Sequence, residues 1–154
     1  MNIIELNPIS DLEKDPKLKG AYLQLDKLLF ELRKRELPEE LARSINQEIE
    51  ALNSCFGSGG GTGKSIKQTQ TRMIKLLEKE LKVVPKNHYR NQWLALGMAT
   101  FGIPFGVALG MSLGNMALLG IGLPIGLAVG IAVGSGMDKK AFEEGRQLDV
   151  EIRN

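Results

Sequence analysis

Two patterns of apolar residues divide the chain. Up to about residue 90, apolar residues recur at helical spacing among many charges, whereas residues 91–137 contain no Asp, Glu, Lys, Arg or His. A membrane-spanning helix needs about 20 apolar residues to cross about 30 Å of hydrocarbon. The run of 47 residues is therefore long enough for two such helices, and a water-soluble fold of this size does not need it.

Helical spacing of apolar residues predicts three helices within residues 1–90. The first is expected from about Pro16 to Arg35, and the second opens at Pro38, where the missing N–H costs little. The third starts near Ser65 and ends before Pro85, because the residue before a proline disfavours the helical conformation. The three apolar stripes are Leu18, Tyr22, Leu25, Leu28, Leu29 and Leu32; Leu41, Ile45, Ile49 and Leu52; and Met73, Ile74, Leu77, Leu81 and Val84. They favour a small bundle, with a coiled-coil docking surface as the alternative.

A glycine-rich linker is predicted over residues 56–64, between the second and third helices. Its letters GSGGGTGKS end in Gly63, Lys64 and Ser65, like a phosphate-binding P-loop, but serine stands at position 58, where the motif requires its first glycine. A P-loop also follows a buried strand, whereas the segment before this stretch has helical periodicity. We therefore interpret it as a flexible linker, with Ser65 capping the third helix.

The apolar run contains a direct repeat with a period of 20 residues. Residues 102–114 read GIPFGVALGMSLG and residues 122–134 read GLPIGLAVGIAVG. Each copy carries four glycines at every fourth position, which form one groove along a helix and allow a second helix to approach closely. The predicted helix-packing residues are Gly102, Gly106, Gly110, Gly114, Gly122, Gly126, Gly130 and Gly134.

Two spanning helices are expected, over residues 91–113 and 117–137, with Gly114-Asn115-Met116 supplying the turn. Pro104 and Pro124 are expected to bend them, which membrane helices tolerate. The glycine grooves can face each other within one hairpin, or they can pack between subunits of a homo-oligomer. The sequence leaves both arrangements open.

Residues 102–114 and 122–134 resemble the glycine-zipper segments of small bacterial membrane proteins with two transmembrane helices, many of them uncharacterised. The resemblance covers the last third to half of the chain. It implies a membrane location, which we take to be the bacterial inner membrane, and a mode of helix packing. It implies no activity, because glycine zippers occur in anchors and channels alike.

Charges on both sides of the apolar run predict its orientation. Basic residues precede and follow the run, and the turn has none, so the positive-inside rule puts both termini in the cytoplasm. The predicted domains are a cytoplasmic helical region over 1–90, a transmembrane hairpin over 91–137 and a cytoplasmic tail over 138–154. The predicted interfacial residues are Tyr89, Arg90, Trp93, Lys139 and Lys140.

Composition adds few candidates for chemistry. With 20 basic and 18 acidic residues, the net charge of +2 gives no sign of a nucleic-acid partner. Cys55 is the only cysteine and His88 the only histidine, so neither an intrachain disulfide nor a multi-histidine metal site is possible. The first residues lack the pattern of a secretory signal peptide. No catalytic residue, metal ligand or cofactor is predicted.

The sequence thus predicts an all-α, non-enzymatic membrane protein. In the leading hypothesis the hairpin anchors a helical region that interacts with another protein, and the protein itself is expected to form a homo-oligomer or to bind an unidentified partner. A homo-oligomeric pore is the alternative, although the run has no charged residue to line a pathway. A nucleotide-binding enzyme, resting only on the sequence Gly63-Lys64-Ser65, is the third.

Overall fold

The computed structural model describes residues 2–9, 12–57 and 63–152. It is mostly helical, as predicted, with a two-stranded sheet as the other regular structure in these ranges. The elements in chain order are α1 (Pro16–Arg33), α2 (Glu39–Gly57), α3 (Gly63–Leu81), β1 (Val84–Lys86), α4 (His88–Gly97), a π-helical turn (Met98–Gly102), α5 (Ile103–Ser112), a 3₁₀ turn (Met116–Leu118), α6 (Leu119–Glu143) and β2 (Gln147–Glu151). They form two compact units, one of residues 1–85 and 148–154, and one of residues 86–147.

The first unit, which we call the head, has its core between three helices. Helix α3 packs against both α1 and α2. The apolar stripes predicted for the three helices supply most of the buried side chains, among them Leu25, Leu28, Leu29, Leu32, Ile45, Ile49, Met73 and Leu77. Fully burying one such side chain contributes about 1.5–3 kcal/mol relative to leaving it exposed, so these stripes are the main source of the head's stability.

An extended segment at the start of the chain lies along α2. The side-chain amide of Asn46 accepts a hydrogen bond from the backbone N–H of Ile4 (3.0 Å) and donates one to the carbonyl of Asn2 (3.0 Å). Two helical turns later, Asn53 accepts from the N–H of Asn7 (2.8 Å) and donates to the carbonyl of Glu5 (3.0 Å). The two amides thus hydrogen-bond the backbone of the extended segment as an adjacent β-strand would, and Ile3 and Leu6 are buried.

Substitution of Asn46 by alanine is expected to lower the free energy of unfolding by about 1–3 kcal/mol, because it leaves the partly buried N–H of Ile4 and carbonyl of Asn2 without this partner. Asn46 is only 5% exposed, whereas the hydrogen bonds of Asn53 lie at an exposed position. Water can replace the Asn53 bonds, so Asn53→Ala is the matched control and should cost less. Chemical denaturation followed by circular dichroism measures both values, and equal losses would contradict the assignment.

The end of the chain also belongs to the head. Within the segment 138–154, which the sequence predicts as a tail, α6 continues to Glu143 and strand β2 pairs with β1. Leu148 and Val150, on alternate positions of β2, are buried in the head's core together with Val83. The strand itself was not predicted, because a five-residue strand with only two inward apolar residues leaves too short a pattern to recognise.

Several boundaries differ from the prediction. Residues 56 and 57 end α2, and residues 63 and 64 begin α3, so the linker is shorter than expected, and its residues 58–62 lie outside the described residues. Ser65 lies within the first turn of α3 and does not occupy the cap position. Val84, predicted on the stripe of the third helix, lies in β1, because the helix stops at Leu81 and Lys82 adopts a left-handed conformation with φ of 57°.

The second unit, which we call the hairpin, holds the apolar run. Two helical segments within it are long and apolar enough to cross a membrane, the first over 25 residues (His88–Ser112) and the second over 28 (Met116–Glu143). At 1.5 Å per residue they measure about 37 and 42 Å. The first segment begins before the predicted limit of residue 91, and the second ends after the predicted limit of residue 137. Charged residues extend the two helices past the apolar run.

Candidate membrane-spanning hairpin

The glycines of α6 lie against the backbone of the first apolar segment. A methyl group placed on Gly126 would stand 2.5 Å from both the backbone nitrogen of Gly102 and the carbonyl oxygen of Gly97, and one on Gly122 would stand 2.5 Å from the nitrogen of Gly106. Real Cβ atoms do not approach backbone atoms this closely. The two helices therefore touch backbone to backbone along this face.

The same face continues toward the other end of α6. A methyl group on Gly134 would meet the Cα of Arg90 at 2.5 Å and the carbonyl oxygen of Tyr89 at 2.7 Å, and one on Gly130 would clash with the carbonyl oxygen of Trp93. These contacts are all within one chain. The structure thus has the hairpin arrangement, in which the glycine face of α6 is covered by the chain's own first segment.

Gly97 also lies on this face, although the repeat in the sequence does not predict it. A methyl group there would lie 2.8 Å from the Cα of Gly130. Gly97 and Gly102 are five residues apart, and on an uninterrupted α-helix of 3.6 residues per turn they would not share a face. The π-helical turn at Met98–Gly102, in which the N–H of Ile103 donates to the carbonyl of Met98, accommodates one extra residue and restores the alignment.

The glycines at the far end of the first segment pack differently. A methyl group on Gly106 would lie 2.6 Å from the carbonyl oxygen of Leu119, and one on Gly110 would lie 3.2 Å from the sulfur of Met116. Gly114 was predicted as a packing residue, but a methyl group there would have nothing within 4 Å. Gly114 is therefore not a packing residue. Helix α5 ends at Ser112, and Gly114 lies in the turn with a φ of 65°, a conformation that glycine adopts without strain.

Asp138 occupies the next position of the α6 glycine series, four residues after Gly134. Its carboxylate accepts hydrogen bonds from the backbone N–H groups of Tyr89 (3.0 Å) and Arg90 (2.9 Å), and its side chain is buried, with 7% exposure. These N–H groups belong to the first turn of α4, where helical N–H groups lack intrahelical partners. Asn87, at the cap position itself, has φ of 58° and makes no side-chain cap. Asp138 therefore caps α4 from the neighbouring helix.

Asp138 was not predicted as a packing or capping residue, because in the sequence it is the first charge after the apolar run. A signal for it exists in the chain: 122, 126, 130, 134 and 138 are equally spaced. Position 138 therefore falls on the groove, where a carboxylate must find donors on the opposite helix. The spacing alone does not say which donors these are.

The five predicted interfacial residues cluster at the same end of the hairpin. Tyr89, Arg90 and Trp93 supply backbone to the contacts with α6. Lys139 and Lys140 follow Asp138 and are exposed. The Nζ atom of Lys139 lies 3.8 Å from Oε1 of Glu143, and that of Lys140 lies 3.9 Å from Oε1 of Glu144, four residues on in each case. At the opposite end, the turn residues 113–117 carry no charge. The hairpin is thus charged at one end and apolar at the other.

Away from the glycine face, the hairpin presents large apolar side chains. Only 22% of the most apolar window of the first segment, and 17% of that of the second, is buried. The exposed apolar side chains include Phe101, Ile103, Phe105, Met111, Leu113, Ile121, Leu123, Ile125, Ile131 and Val133. The core helix of a soluble protein would bury such residues, and soluble proteins rarely expose apolar patches larger than a few hundred Å².

Comparison of the chain with protein-family models, curated proteins and solved structures finds no match to any of them. Within the described ranges, no group of three or more His, Cys, Asp or Glu side chains is placed to hold a metal ion.

Proposed function

We propose that this chain is a non-enzymatic integral membrane protein whose hairpin anchors the helical head at a membrane surface, where the head interacts with a protein partner. The main support for the proposal is that only a narrow face of each apolar helix is packed, while most of its large apolar side chains are exposed. A bilayer covers such a surface, because lipid tails are as apolar as the side chains. Backbone N–H and C=O groups in the helices bond internally, as spanning segments require.

Close glycine packing supports the same proposal. In lipid, two apolar helices gain little from the hydrophobic effect, so small residues that let backbones approach are a main source of association. The backbone contacts at Gly122, Gly126 and Gly130 supply this kind of packing. A soluble hairpin would be expected to use larger interlocking side chains instead.

Both ends of the hairpin lie at one membrane surface in this proposal, because Asp138 near the end of α6 bonds the start of α4. The basic residues on both sides of the apolar run favour the cytoplasm for that surface. A homo-oligomeric pore is less well supported, since the glycine faces that would pack its subunits are covered within each chain. An oligomer would have to use the exposed faces with larger side chains.

A labelling experiment tests the proposed topology. Cys55 is exposed and is the only cysteine, so a membrane-impermeant maleimide should label it only after cells are lysed. In a Cys55→Ser background, Met116→Cys places a thiol in the turn, where Met116 is 60% exposed, and it should be labelled in intact cells. Alkaline carbonate should leave the protein in the membrane pellet.

Equal labelling of both positions from outside, or release of the protein by carbonate, would contradict an integral hairpin with cytoplasmic termini. Cys55→Ser without the new cysteine serves as the control for labelling of other sites.

A further inference from the structure

A cavity lies in the head, between the starts of α1 and α3. It is an open groove of about 770 Å³. The starts of the two helices are close together, because a methyl group on Gly63 would lie 3.7 Å from the Cα of Leu18. This volume falls within the range of about 300–1,000 Å³ that is typical of small-molecule sites.

Four of the nine described residues that line this groove are cationic. Lys17 comes from α1, and Lys64, Lys67 and Arg72 come from α3. Lys64 and Lys67 are three residues apart and therefore lie on one face of α3, whereas Arg72, five residues after Lys67, lies further round the helix. The arrangement therefore brings charges from two helices to one opening.

Three of these four cations have no anionic partner among the described residues. No ion pair joins Lys17, Lys64 or Lys67 to a carboxylate there, whereas Arg72 pairs with Glu48 at 2.9 Å. Asp15, the one carboxylate among the described lining residues, accepts hydrogen bonds from the N–H groups of Lys17 (2.8 Å) and Leu18 (3.2 Å) as the cap of α1. The lining thus keeps an excess of positive charge.

The position of these lysines near the starts of helices makes the excess positive charge electrostatically unfavourable when no anion is bound. A helix N-terminus carries partial positive charge, so acidic residues are favoured there and basic ones are disfavoured. Helix α2 follows this rule with Glu39 and Glu40, but α3 has no acidic residue in its first turn. Local rules that a chain breaks without compensation are typical of functional positions.

From the groove, its unpaired lysines and its volume together, we infer that the head binds a phosphate-bearing small molecule or lipid headgroup through Lys17, Lys64 and Lys67. Lysine binds phosphate as a compact charge. Four cations are too few for a nucleic-acid interface, where a protein neutralises on the order of 6–10 phosphates.

This site differs from the P-loop considered for the same residues. Helix α2, and not a buried strand, precedes Gly63, so the loop geometry of a nucleotide hydrolase has no basis here. Lys64 contributes charge to a groove shared with α1. The inference is therefore one of binding, without catalysis.

Thermal unfolding of the full-length protein in nanodiscs tests this inference. The groove variant is Lys64→Gln/Lys67→Gln, and the control is Lys75→Gln/Lys79→Gln, which removes the same charge from the same helix outside the groove lining. Each protein is unfolded in phosphatidylcholine discs, in the same discs with inorganic tripolyphosphate, and in discs containing phosphatidylglycerol. A ligand that binds only the folded state raises the Tm.

Tripolyphosphate is expected to raise the Tm of the wild type and the control, and to leave the groove variant unchanged. The same pattern with phosphatidylglycerol would identify the lipid headgroup as the source of the phosphate. Without ligand, the groove variant should be no less stable than the control, because its substitutions relieve repulsion. The inference is overturned if neither ligand shifts the wild type, or if both variants respond equally.

Discussion

Replacement of Gly126 by alanine is expected to separate the two apolar helices or to unfold the hairpin. The added methyl group would lie 2.5 Å from two backbone atoms, one in Gly97 and one in Gly102, and backbone cannot rotate out of the way as a side chain can. Overpacking in a well-packed interior costs about 1–3 kcal/mol, sometimes more, and we expect the upper end of this range. Unfolding in mild detergent by added dodecyl sulfate, followed by circular dichroism and by the fluorescence of the single tryptophan, Trp93, measures the loss.

Gly120→Ala and Gly136→Ala are the matched controls on the same helix. A methyl group at either position would have nothing within 4 Å, and alanine is favoured over glycine in a helix by about 0.8–1.0 kcal/mol. The controls should therefore leave stability unchanged or raise it. If Gly126→Ala behaves like the controls, the hairpin does not pack through this face.

Native mass spectrometry of Gly106→Leu and Gly126→Leu in nanodiscs separates packing within a chain from packing between chains. A wild-type oligomer that dissociates into folded monomers in these variants would move the glycine faces to a subunit interface. Loss of the folded hairpin without such monomers is the result expected from the intrachain contacts.

Asp138→Ala has the second largest expected effect, a loss of about 2–3 kcal/mol in the free energy of unfolding of the hairpin. The substitution removes the acceptor for two N–H groups at the start of α4. Loss of an N-cap costs about 0.5–2 kcal/mol, and a buried donor without a partner adds a penalty of about 1–3 kcal/mol. The same detergent unfolding experiment measures the change.

Glu143→Ala, also on α6, is the control for removal of a carboxylate. Glu143 is exposed and lies 3.8 Å from Lys139, and exposed ion pairs contribute about 0–1 kcal/mol. Asp138→Asn should fall between the two, because the amide keeps one acceptor oxygen but loses the charge. A loss with Glu143→Ala as large as that with Asp138→Ala would show that the cap is not the cause.

The helices could be predicted because each carries a local signal. The stripe from Leu25 to Leu32 repeats at helical spacing, and the absence of charge over 91–137 marks the apolar segments without any knowledge of contacts. The repeated glycines also indicated which face of α6 is narrow. Which helix would cover that face could not be predicted, because identical grooves fit a hairpin and an oligomer equally well.

The features that escaped prediction depend on partners far apart in the chain. Asn46 is an unremarkable polar residue of an amphipathic helix until the extended segment at Ile4 lies beside it, 42 residues away. Gly97 is out of register with the other glycines unless a π-turn intervenes, and the sequence signal for such a turn is weak. The groove between α1 and α3 likewise exists only after the two helices meet.

The cap on α4 can form only after α6 has been synthesised, because Asp138 lies near the end of α6. The N–H groups of Tyr89 and Arg90 leave the ribosome 49 and 48 residues before the carboxylate that satisfies them. In the proposed topology, the first helix keeps these two N–H groups uncapped until α6 has crossed back and brought Asp138 to the same membrane surface. In that topology, a chain truncated before Asp138 would leave the start of α4 without its cap.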